Sequence, residues 1–178
     1  MFHRTERLLL RPAWPEDWEM ILWGIGDERV VRNLAKAPWP YLPQHAREFA
    51  RRAQDPRLPA FLLTLPESEG SRLVGCAGLG ATATGIELGY WIARPYWGRG
   101  YATEGARGVL EVARLLGHRQ IESGHYLDNP ASGRVLRKLG FQPTGKVKPR
   151  DCLARGEATP CAIYTLELEI DEMPARAA

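Results

Sequence analysis

The feature of this sequence that most constrains its fold is a change of periodicity around Pro95. Before it, Gly85–Ala93 (GIELGYWIA) is rich in aromatic and branched residues, which are typical of a β-strand. After it, apolar residues recur every three or four positions and so line one face of a helix. They are Ala102, Ala106, Val109, Ala113 and Leu116, and Gly117 ends the pattern. We therefore expect a sheet with helices packed on it.

The other predicted elements fit a mixed α/β or α+β chain with a single central sheet. The remaining predicted strands are Thr5–Arg11, Ala60–Leu65, Arg72–Gly80, Gln120–Leu127, Phe141–Val147 and Ile163–Ile170. One helix is predicted to begin at Pro15-Glu16-Asp17, another to run from Gln44 to about Gln54, and a third to begin at Asn129-Pro130 and end before Gly140. Prolines exclude regular helix between Ala37 and Pro43.

Length and composition suit one ordinary globular domain. The 178 residues are 44% hydrophobic and 25% charged, which excludes a fully disordered chain and predicts a single domain over 1–178, with its core at about 5–170. The three cysteines form no CxxC pair, which indicates a reducing compartment. No apolar run is long enough to span a bilayer, and the first residues lack a secretory h-region, so we expect a soluble cytoplasmic protein and no membrane partner.

Positive charge is concentrated in the second half of the chain. From Arg94 to Arg150 there are 11 Lys/Arg and 4 Asp/Glu, a balance of +7 within a chain of net charge +3. Such a segment suits nucleic acid, a membrane surface or a polyphosphate ligand, and it is also typical of a solvated face. Charge alone leaves these alternatives open.

The turn Trp97–Glu104 joins the predicted strand to the predicted helix and contains two glycines. The first N–H groups of a helix have no partner within it, and together with the positive helix end they bind phosphate. The alternative is a tight strand–helix connection without a ligand. Rossmann and P-loop sites are disfavoured, because Thr103 replaces the third glycine of GxGxxG and no GxxxxGK[ST] occurs.

The segments Leu88–Ala113 and Asp128–Phe141 closely resemble the GNAT superfamily of acetyl-CoA-dependent N-acetyltransferases. The opening TERLLLRP and the Pro-Trp-Pro-Tyr at 38–41 resemble its branch of ribosomal-protein alanine N-acetyltransferases. The resemblance implies the acyl-CoA N-acyltransferase-like fold, with a mostly antiparallel sheet flanked by helices. It also implies acetyl-CoA as cosubstrate and an amine acceptor.

The family signature [QR]xxGx[GA] cradles the CoA pyrophosphate, and Gly100 and Ala102 match its last two fixed positions. Trp97 stands where Gln or Arg is usual. The cofactor-binding residues that the resemblance implies are Trp91, Ile92, Trp97, Gly98, Arg99, Gly100, Tyr101, Ala102, Asn129 and Ser132. Of these, Trp91 and Ile92 at the end of the strand would pair through their main chain with the pantetheine arm, and Ser132 would lie near the sulfur. Asn129 is also expected to cap its helix.

Two catalytic residues of some relatives are absent here. The glutamate five residues before the Asn is Gly124, and the tyrosine seven residues after it is Leu136. The remaining candidates are Glu87 as base and Ser132 as proton donor to sulfur. The alternative for Glu87 is that it is an ordinary exposed carboxylate of a strand. His125 and Asp128 come next. No metal site is expected, because the histidines and cysteines lack ligand spacing.

The acceptor side is less defined by sequence. The N-terminal third contains five aromatics that are expected mostly to pack in the core and in a lid: Trp14, Trp18, Trp23, Trp39 and Tyr41. The alternative is that Trp39 and Tyr41 wall the acceptor pocket. The segment Arg150–Glu157 is a second candidate rim. Rival functions are a non-catalytic acyl-CoA-binding sensor and, less favoured, a nucleic-acid binder. We expect no nucleic-acid partner and either a monomer or a homodimer.

Overall fold

A computed structural model describes residues 1–67 and 70–169, and an eight-stranded sheet forms its centre. The strands are β1 (His3–Arg4), β2 (Leu9–Arg11), β3 (Ala60–Glu67), β4 (Gly70–Ala81), β5 (Ile86–Ile92), β6 (Gln120–Tyr126), β7 (Gln142–Cys152) and β8 (Glu157–Glu167). Their spatial order is β1-β2-β3-β4-β5-β6-β8-β7. Within the described residues every neighbouring pair is antiparallel except β5 and β6, which are parallel. The mixed, mostly antiparallel sheet is thus confirmed.

The helices cover both faces of the sheet. They are α1 (Trp18–Ile25), α2 (Glu28–Val31), α3 (Pro43–Arg51), α4 (Tyr101–Leu115) and α5 (Pro130–Lys138). A β-carbon on Gly24 of α1 would lie 3.1 Å from the Trp91 ring, and one on Gly105 of α4 would lie 2.5 Å from the Leu63 side chain. Leu62 pairs with Cys76, and Cys76 pairs with Trp91, so these three side chains lie on one face of the sheet. Leu63 follows Leu62 along β3 and therefore points to the other face, because side chains alternate along a strand. The helices α1, at Trp91, and α4, at Leu63, thus lie on opposite faces.

The core lies between these helices and the sheet. Its largest fully buried side chains are Phe61, Phe141, Leu8, Leu10, Ile21, Leu62, Leu63, Leu73, Leu88, Ile121, Leu136 and Val31. Glycines on α4 let the helix lie close to the strands, since a β-carbon on Gly108 would lie 2.9 Å from Leu10. Gly105 and Gly108 therefore let α4 approach the Leu63 and Leu10 side chains closely.

The prediction of one continuous strand over Thr5–Arg11 is wrong. A turn separates β1 from β2, in which the Thr5 N–H donates to the Leu8 carbonyl over 2.9 Å. The Thr5 hydroxyl instead donates to Glu104 of α4 over 2.7 Å, so a tertiary contact holds the turn. The short helix α2 was not predicted, although Asp27 caps it by accepting from the Arg29 N–H.

The last two strands are longer than predicted and form a hairpin. β7 extends to Cys152 and β8 begins at Glu157, so most of the segment taken as a connection is paired backbone. Ile170, the predicted end of the last strand, lies outside the described residues. Most of β7 is solvent-exposed, and its pairing shifts register between Pro143 and Val147. The predicted boundary failed because an exposed edge strand carries little apolar alternation.

All three cysteines are buried and free of disulfides. No helix in the described part of the chain is both long and apolar enough to cross a bilayer.

Candidate functional site

The turn that follows β5 places a row of unpaired main-chain donors at the start of α4. Gly98 and Gly100 have φ of +75° and +83°, a left-handed conformation that glycine adopts without steric cost. Among the described residues, no acceptor bonds the N–H groups from Gly98 through Thr103, whereas the Trp97 N–H donates to the Arg94 carbonyl over 3.2 Å. The helix begins at Tyr101 and adds its positive end to these donors. The geometry fits a phosphate group.

Three of the sequence-predicted residues shape this turn with their side chains. The Trp97 indole donates to the Ile92 carbonyl over 2.6 Å and so ties the turn to the end of β5. The Tyr101 ring packs edge-on against Tyr96 at 6.1 Å. The Arg99 guanidinium lies 5.6 Å from the Tyr96 ring. The side chain of Trp97 therefore holds the turn, and its main-chain N–H is already used.

An N-terminal residue that the sequence analysis missed also reaches the turn. Arg7 donates to the Arg99 carbonyl over 3.1 Å, and its guanidinium lies 4.5 Å from the centre of the Tyr101 ring. The main-chain N–H and the Nε of Arg7 each donate to Glu104 over 2.7 Å. Partial burial by itself would raise the pKa of Glu104, but the Thr5 hydroxyl and the Arg7 donors outweigh it and hold that pKa below its ordinary value.

The strands β5 and β6 leave an opening next to this turn. Their register pairs Glu87 with Glu122, and the Ser123 hydroxyl donates to the Leu88 carbonyl over 2.9 Å. Beyond that point, no ladder pair joins the described residues of the two strands. On its other edge β5 stays paired with β4 as far as Ile92. The edge of β5 that faces β6 is therefore open at Trp91 and Ile92.

The start of α5 closes one face of this opening. Asn129 caps the helix, its Oδ1 accepting from the Ser132 N–H over 3.4 Å. The Ser132 hydroxyl lies 2.8 Å from the Tyr90 hydroxyl, which also donates to the Ser132 carbonyl over 3.2 Å. Burial raises the pKa of Tyr90 to about 12, against the opposing effect of its bond to Ser132. Tyr90 thus stays protonated at neutral pH. Only its place in the strand next to Trp91 could have indicated it from sequence.

The opposite face of β5 carries Glu87 and Trp91, and Trp91 lies against α1. Glu87 forms an ion pair with Arg150 of β7, with the Nη1 donating to Oε1. The two side chains are 23% and 31% exposed. Desolvation would lower the pKa of Arg150, but the hydrogen bond and charge of Glu87, with smaller contributions from Cys161 and Tyr126, together raise that pKa. The Glu87 carboxylate is therefore neither free nor ordinary surface charge.

The two positions at which the family resemblance leads us to look for a catalytic glutamate and tyrosine are filled by packing. A β-carbon on Gly124 would lie 2.8 Å from the Cys161 sulfur and 3.0 Å from the Ala162 carbonyl, so a glutamate does not fit there without movement of β8. Leu136 is fully buried in the core. His125 uses its Nδ1 at 2.8 Å from the Tyr126 carbonyl, and its ring packs on Gly133 of α5.

The hairpin of β7 and β8 folds onto the segment that follows α2. Arg155 donates to both Asp128 oxygens over 2.8 and 3.0 Å and, through Nε, to the Arg32 carbonyl over 2.8 Å. The bond to Arg155 is the main reason that the pKa of Asp128 is lowered. The Leu153 N–H donates to the Ala35 carbonyl over 3.2 Å. The tip of the hairpin is thereby fixed on the same side of the molecule as α2.

The aromatic residues of the N-terminal third are less buried than predicted. Trp14, Trp23 and Trp39 are 46%, 56% and 41% exposed, so the expectation of core packing is wrong for these three, whereas Trp18 packs against the core. Trp14 lies under the Arg11 guanidinium at 4.2 Å, and Trp23 borders an open cleft of about 520 Å³ beside Arg94. Trp14 thus packs against Arg11 and Trp23 against the Tyr96 ring, rather than inside the core.

Tyr41 differs from Trp39, which lies at the surface. It packs on His45 at 5.4 Å and against the core. Burial raises the pKa of Tyr41 to about 12, with a smaller contribution from nearby Cys76. Since Cys76 pairs with Trp91, Tyr41 lies over the same face of the sheet as Glu87.

The described residues contain no group of three or more His, Cys, Asp or Glu that could hold a metal ion.

Solved structures with the same fold include two that cover most of this chain. An acetyltransferase of the GNAT family from Bacillus anthracis superimposes with a TM-score of 0.79 at 23% identity, covering 94% of this chain and 98% of its own. RimL, described as a ribosomal L7/L12 alpha-N-protein acetyltransferase in complex with coenzyme A, gives a TM-score of 0.76 at 15% identity, covering 96% and 100%. At these identities the likeness shows the fold.

Sequence comparison agrees with the structural likeness. The chain is 28% identical over 151 residues to the uncharacterized N-acetyltransferase YoaA of Bacillus subtilis, which covers 81% of this chain and 84% of that protein. A family model described as the acetyltransferase (GNAT) domain matches residues 7–142. Because that match spans well over half of the sequence, the chain belongs to the GNAT acetyltransferase family.

Proposed function

We propose that this protein transfers the acetyl group of acetyl-CoA to a primary amine, at a protein N-terminus or on a small molecule. The observation that carries the proposal is the run of unpaired N–H groups from Gly98 through Thr103 at the positive end of α4. Such donors bind phosphate without any charged side chain. We assign the main-chain N–H groups of Gly98, Arg99, Gly100, Tyr101 and Ala102 to the CoA diphosphate, with the Trp97 indole bracing the turn.

The open edge of β5 supports a site for the pantetheine arm. An arm that carries amide groups can use the free N–H and C=O groups of a strand as a neighbouring strand would. Trp91 and Ile92 lie at the end of this edge. The Ile92 carbonyl already accepts from Trp97, and a second lone pair remains for a ligand. Asn129 and Ser132 flank the opening, and we assign them to the arm and to the sulfur end.

Acetyl-CoA supplies an activated acetyl thioester. The acceptor amine forms the new C–N bond through its lone pair and gives up one proton, and the sulfur released from the C–S bond takes up one proton. The products are the N-acetylated amine and the free thiol. The α-amino group at a protein N-terminus titrates at about 7.7–8.0, so at neutral pH an appreciable fraction of such an acceptor is already in the neutral form that can attack. Orientation of the two reactants then contributes much of the rate.

Two groups of this chain fit the proton transfers. Glu87 lies on the face of β5 opposite α5 and is assigned to accept the proton of the amine, directly or through water. Ser132 lies at the opening on the other face, bonded to Tyr90, and is assigned to give a proton to the leaving sulfur. A main-chain N–H near Trp91 and Ile92 is assigned to the developing negative charge on the acetyl oxygen.

The experiment that tests this function compares two glycines with the same backbone strain. Gly100 and Gly117 have φ of +83° and +80° at opposite ends of α4, and a β-carbon at either would meet no atom closer than 3.4 Å. An alanine at either position costs roughly 1–2 kcal/mol of stability, because its β-carbon is disfavoured at positive φ. We expect Gly100→Ala to weaken CoA binding at least about tenfold by calorimetry, since it disturbs the geometry of the phosphate donors.

The matched variant Gly117→Ala should bind CoA with unchanged affinity while losing a similar amount of stability. Release of free thiol from acetyl-CoA in the presence of a panel of amines then measures transfer itself. Equal CoA affinity in both variants contradicts the assigned diphosphate site. CoA binding without thiol release on any amine contradicts the transferase and supports a binding module.

A further inference from the structure

Two arginines of the β7–β8 hairpin form ion pairs near the face of the sheet that carries Glu87, and they differ in how fully they are bonded. Arg155 uses its Nε and both terminal nitrogens, on the Arg32 carbonyl and on Asp128. Arg150 uses Nη1 alone, on Glu87. Within the described residues, no protein acceptor bonds its Nε or Nη2. Arg155 is thus committed to holding the hairpin, whereas Arg150 retains most of its donors.

The Glu87–Arg150 pair therefore presents both signs of charge to a ligand. Oε2 of Glu87 has no hydrogen-bond donor among the described residues, because the contact with Arg150 runs through Oε1. Both side chains are less than one-third exposed. A guanidinium stays protonated at any working pH and binds carboxylate through two parallel N–H groups. The pair offers one acceptor position for an ammonium or amine and one fork for a carboxylate.

The surroundings of the pair suit a small zwitterion. Gly89 lies on the same face of β5, and a β-carbon there would meet no atom within 4 Å, so space is open beside Glu87. Cys161 lies close to the pair: burial is the main reason that its pKa is raised, and Arg150 and Glu87 change it in opposite directions. The Tyr126 ring lies beneath Arg155 at 4.8 Å, and its hydroxyl donates to the carbonyl of Asp151, the residue after Arg150, over 2.9 Å.

The free donors of Arg150, rather than the net charge of this region, favour an acidic group on the acceptor. Three guanidiniums, those of Arg32, Arg150 and Arg155, lie with the carboxylates of Glu87 and Asp128. A third carboxylate, that of Glu122, lies on the same face because Glu122 pairs with Glu87 in the β5–β6 register, so the charges balance. A carboxylate attached to the acceptor would complete the bonds of Arg150.

We propose that the acceptor is an amino-acid-type molecule, in which a primary amine and a carboxylate are separated by one to a few carbon atoms. Its carboxylate binds the Nε and Nη2 of Arg150, and its amine lies at Oε2 of Glu87. This assignment rests on the proposed acetyl transfer and specifies its substrate class. The carboxylate is the element of recognition, so esters and amides of the same compounds should be poor acceptors.

The test begins with the unaltered protein and matched acceptors. Thiol release from acetyl-CoA is measured for α-, β- and γ-amino acids, for their carboxamides, for a neutral peptide N-terminus and for a polyamine. We expect kcat/KM, expressed per neutral amine, to be at least about tenfold higher for the best amino acid than for its carboxamide, as one charge-assisted bidentate contact supplies. Equal or faster turnover of the carboxamide, the peptide or the polyamine overturns the proposal.

Variants then locate the preference. Arg150→Gln should lose the preference for the free acid, bringing the ratio of kcat/KM between acid and carboxamide to within about twofold of one. Arg150→Lys keeps the charge without the fork and should retain an intermediate preference. Lys148→Gln, an exposed change on the same strand, should behave as the unaltered protein. A preference that survives in Arg150→Gln contradicts the assignment.

The two proposals fail in distinguishable ways. If CoA binds by calorimetry and carboxamides or peptides are acetylated as well as acids, the transferase stands and the acceptor class is wrong. If no amine of the panel releases thiol although CoA binds, the transferase itself is wrong. The comparison of acceptors in the unaltered protein needs no variant, so a variant that fails to fold does not remove the test.

Discussion

Replacing Asp17 with asparagine should destabilise the protein more than any other single change of charge that keeps side-chain size. The Asp17 carboxylate accepts from both terminal nitrogens of Arg11, over 2.6 and 2.7 Å, and from the Trp14 N–H over 2.7 Å. The Arg11 and Asp17 side chains are 5% and 6% exposed. Asp17→Asn removes the negative charge and turns one acceptor into a donor that faces the guanidinium.

The size of the effect follows from burial. Removing one partner of a buried ion pair leaves an uncompensated charge and costs about 3–5 kcal/mol. In a chain of this length each kcal/mol lowers the melting temperature by about 2–4 °C, which predicts a loss of roughly 6–20 °C for Asp17→Asn. The exposed pair of Arg72 and Glu67, with side chains 57% and 41% exposed, provides the comparison. Glu67→Gln should cost less than about 1 kcal/mol.

Urea unfolding followed by circular dichroism measures both losses. A third variant, Arg11→Met with Asp17→Leu, removes both charges and should recover much of the stability, because a buried pair can be replaced by apolar side chains of similar volume. The reasoning is refuted if Asp17→Asn costs no more than Glu67→Gln, or if the double variant is less stable than Asp17→Asn.

Two further predictions concern groups near the proposed site. Because the pKa of Glu104 is depressed in the folded protein, its contacts with Thr5 and Arg7 stabilise the protein when the pH is at or above the ordinary pKa of 4.5, and this contribution is lost as the pH falls through the lower folded pKa. Urea midpoints measured between about pH 3 and pH 6 should therefore fall less steeply toward acid pH in Glu104→Gln than in the unaltered protein. Identical slopes would contradict the assignment. Tyr90→Phe should lower kcat by about tenfold or more while leaving the KM for acetyl-CoA nearly unchanged, because the phenol holds the Ser132 hydroxyl. Ser132→Ala should have a similar effect, and the double variant should be no worse than either single variant. Additive losses in steady-state kinetics would show that the two hydroxyls act separately.

The parts of the fold that sequence predicted are those with local signals. The helix α4 follows from its apolar spacing and from Gly117, and α5 follows from an Asn-Pro start, so both were predicted close to their observed positions. The end of β7 was misplaced because most of its side chains are exposed and lack apolar alternation. The turn after Thr5 failed because its side-chain partner is Glu104, far away in sequence.

The site divides in the same way. The phosphate-type turn is continuous in sequence, and its donors can be inferred from glycine and helix-start signals alone. The pairing of Glu87 with Arg150 cannot, because the residues are 63 positions apart and two other strands lie between β5 and β7. Only the strand order brings that carboxylate and that guanidinium together. Tyr90 was missed for a related reason, since its partner Ser132 belongs to a helix on the far side of the opening.

The two borders of the sheet have a consequence for self-association. On one side β1 is only two residues long, which is too short to template another strand. On the other, Pro143 and Pro149 lack an N–H, Lys146 and Lys148 carry charge, and the ladder shifts register. A second molecule would find only two strand residues at the β1 border, and at the β7 border few donors in line beside two ammonium groups. Both borders therefore carry features that disfavour growth of the sheet from molecule to molecule by strand addition.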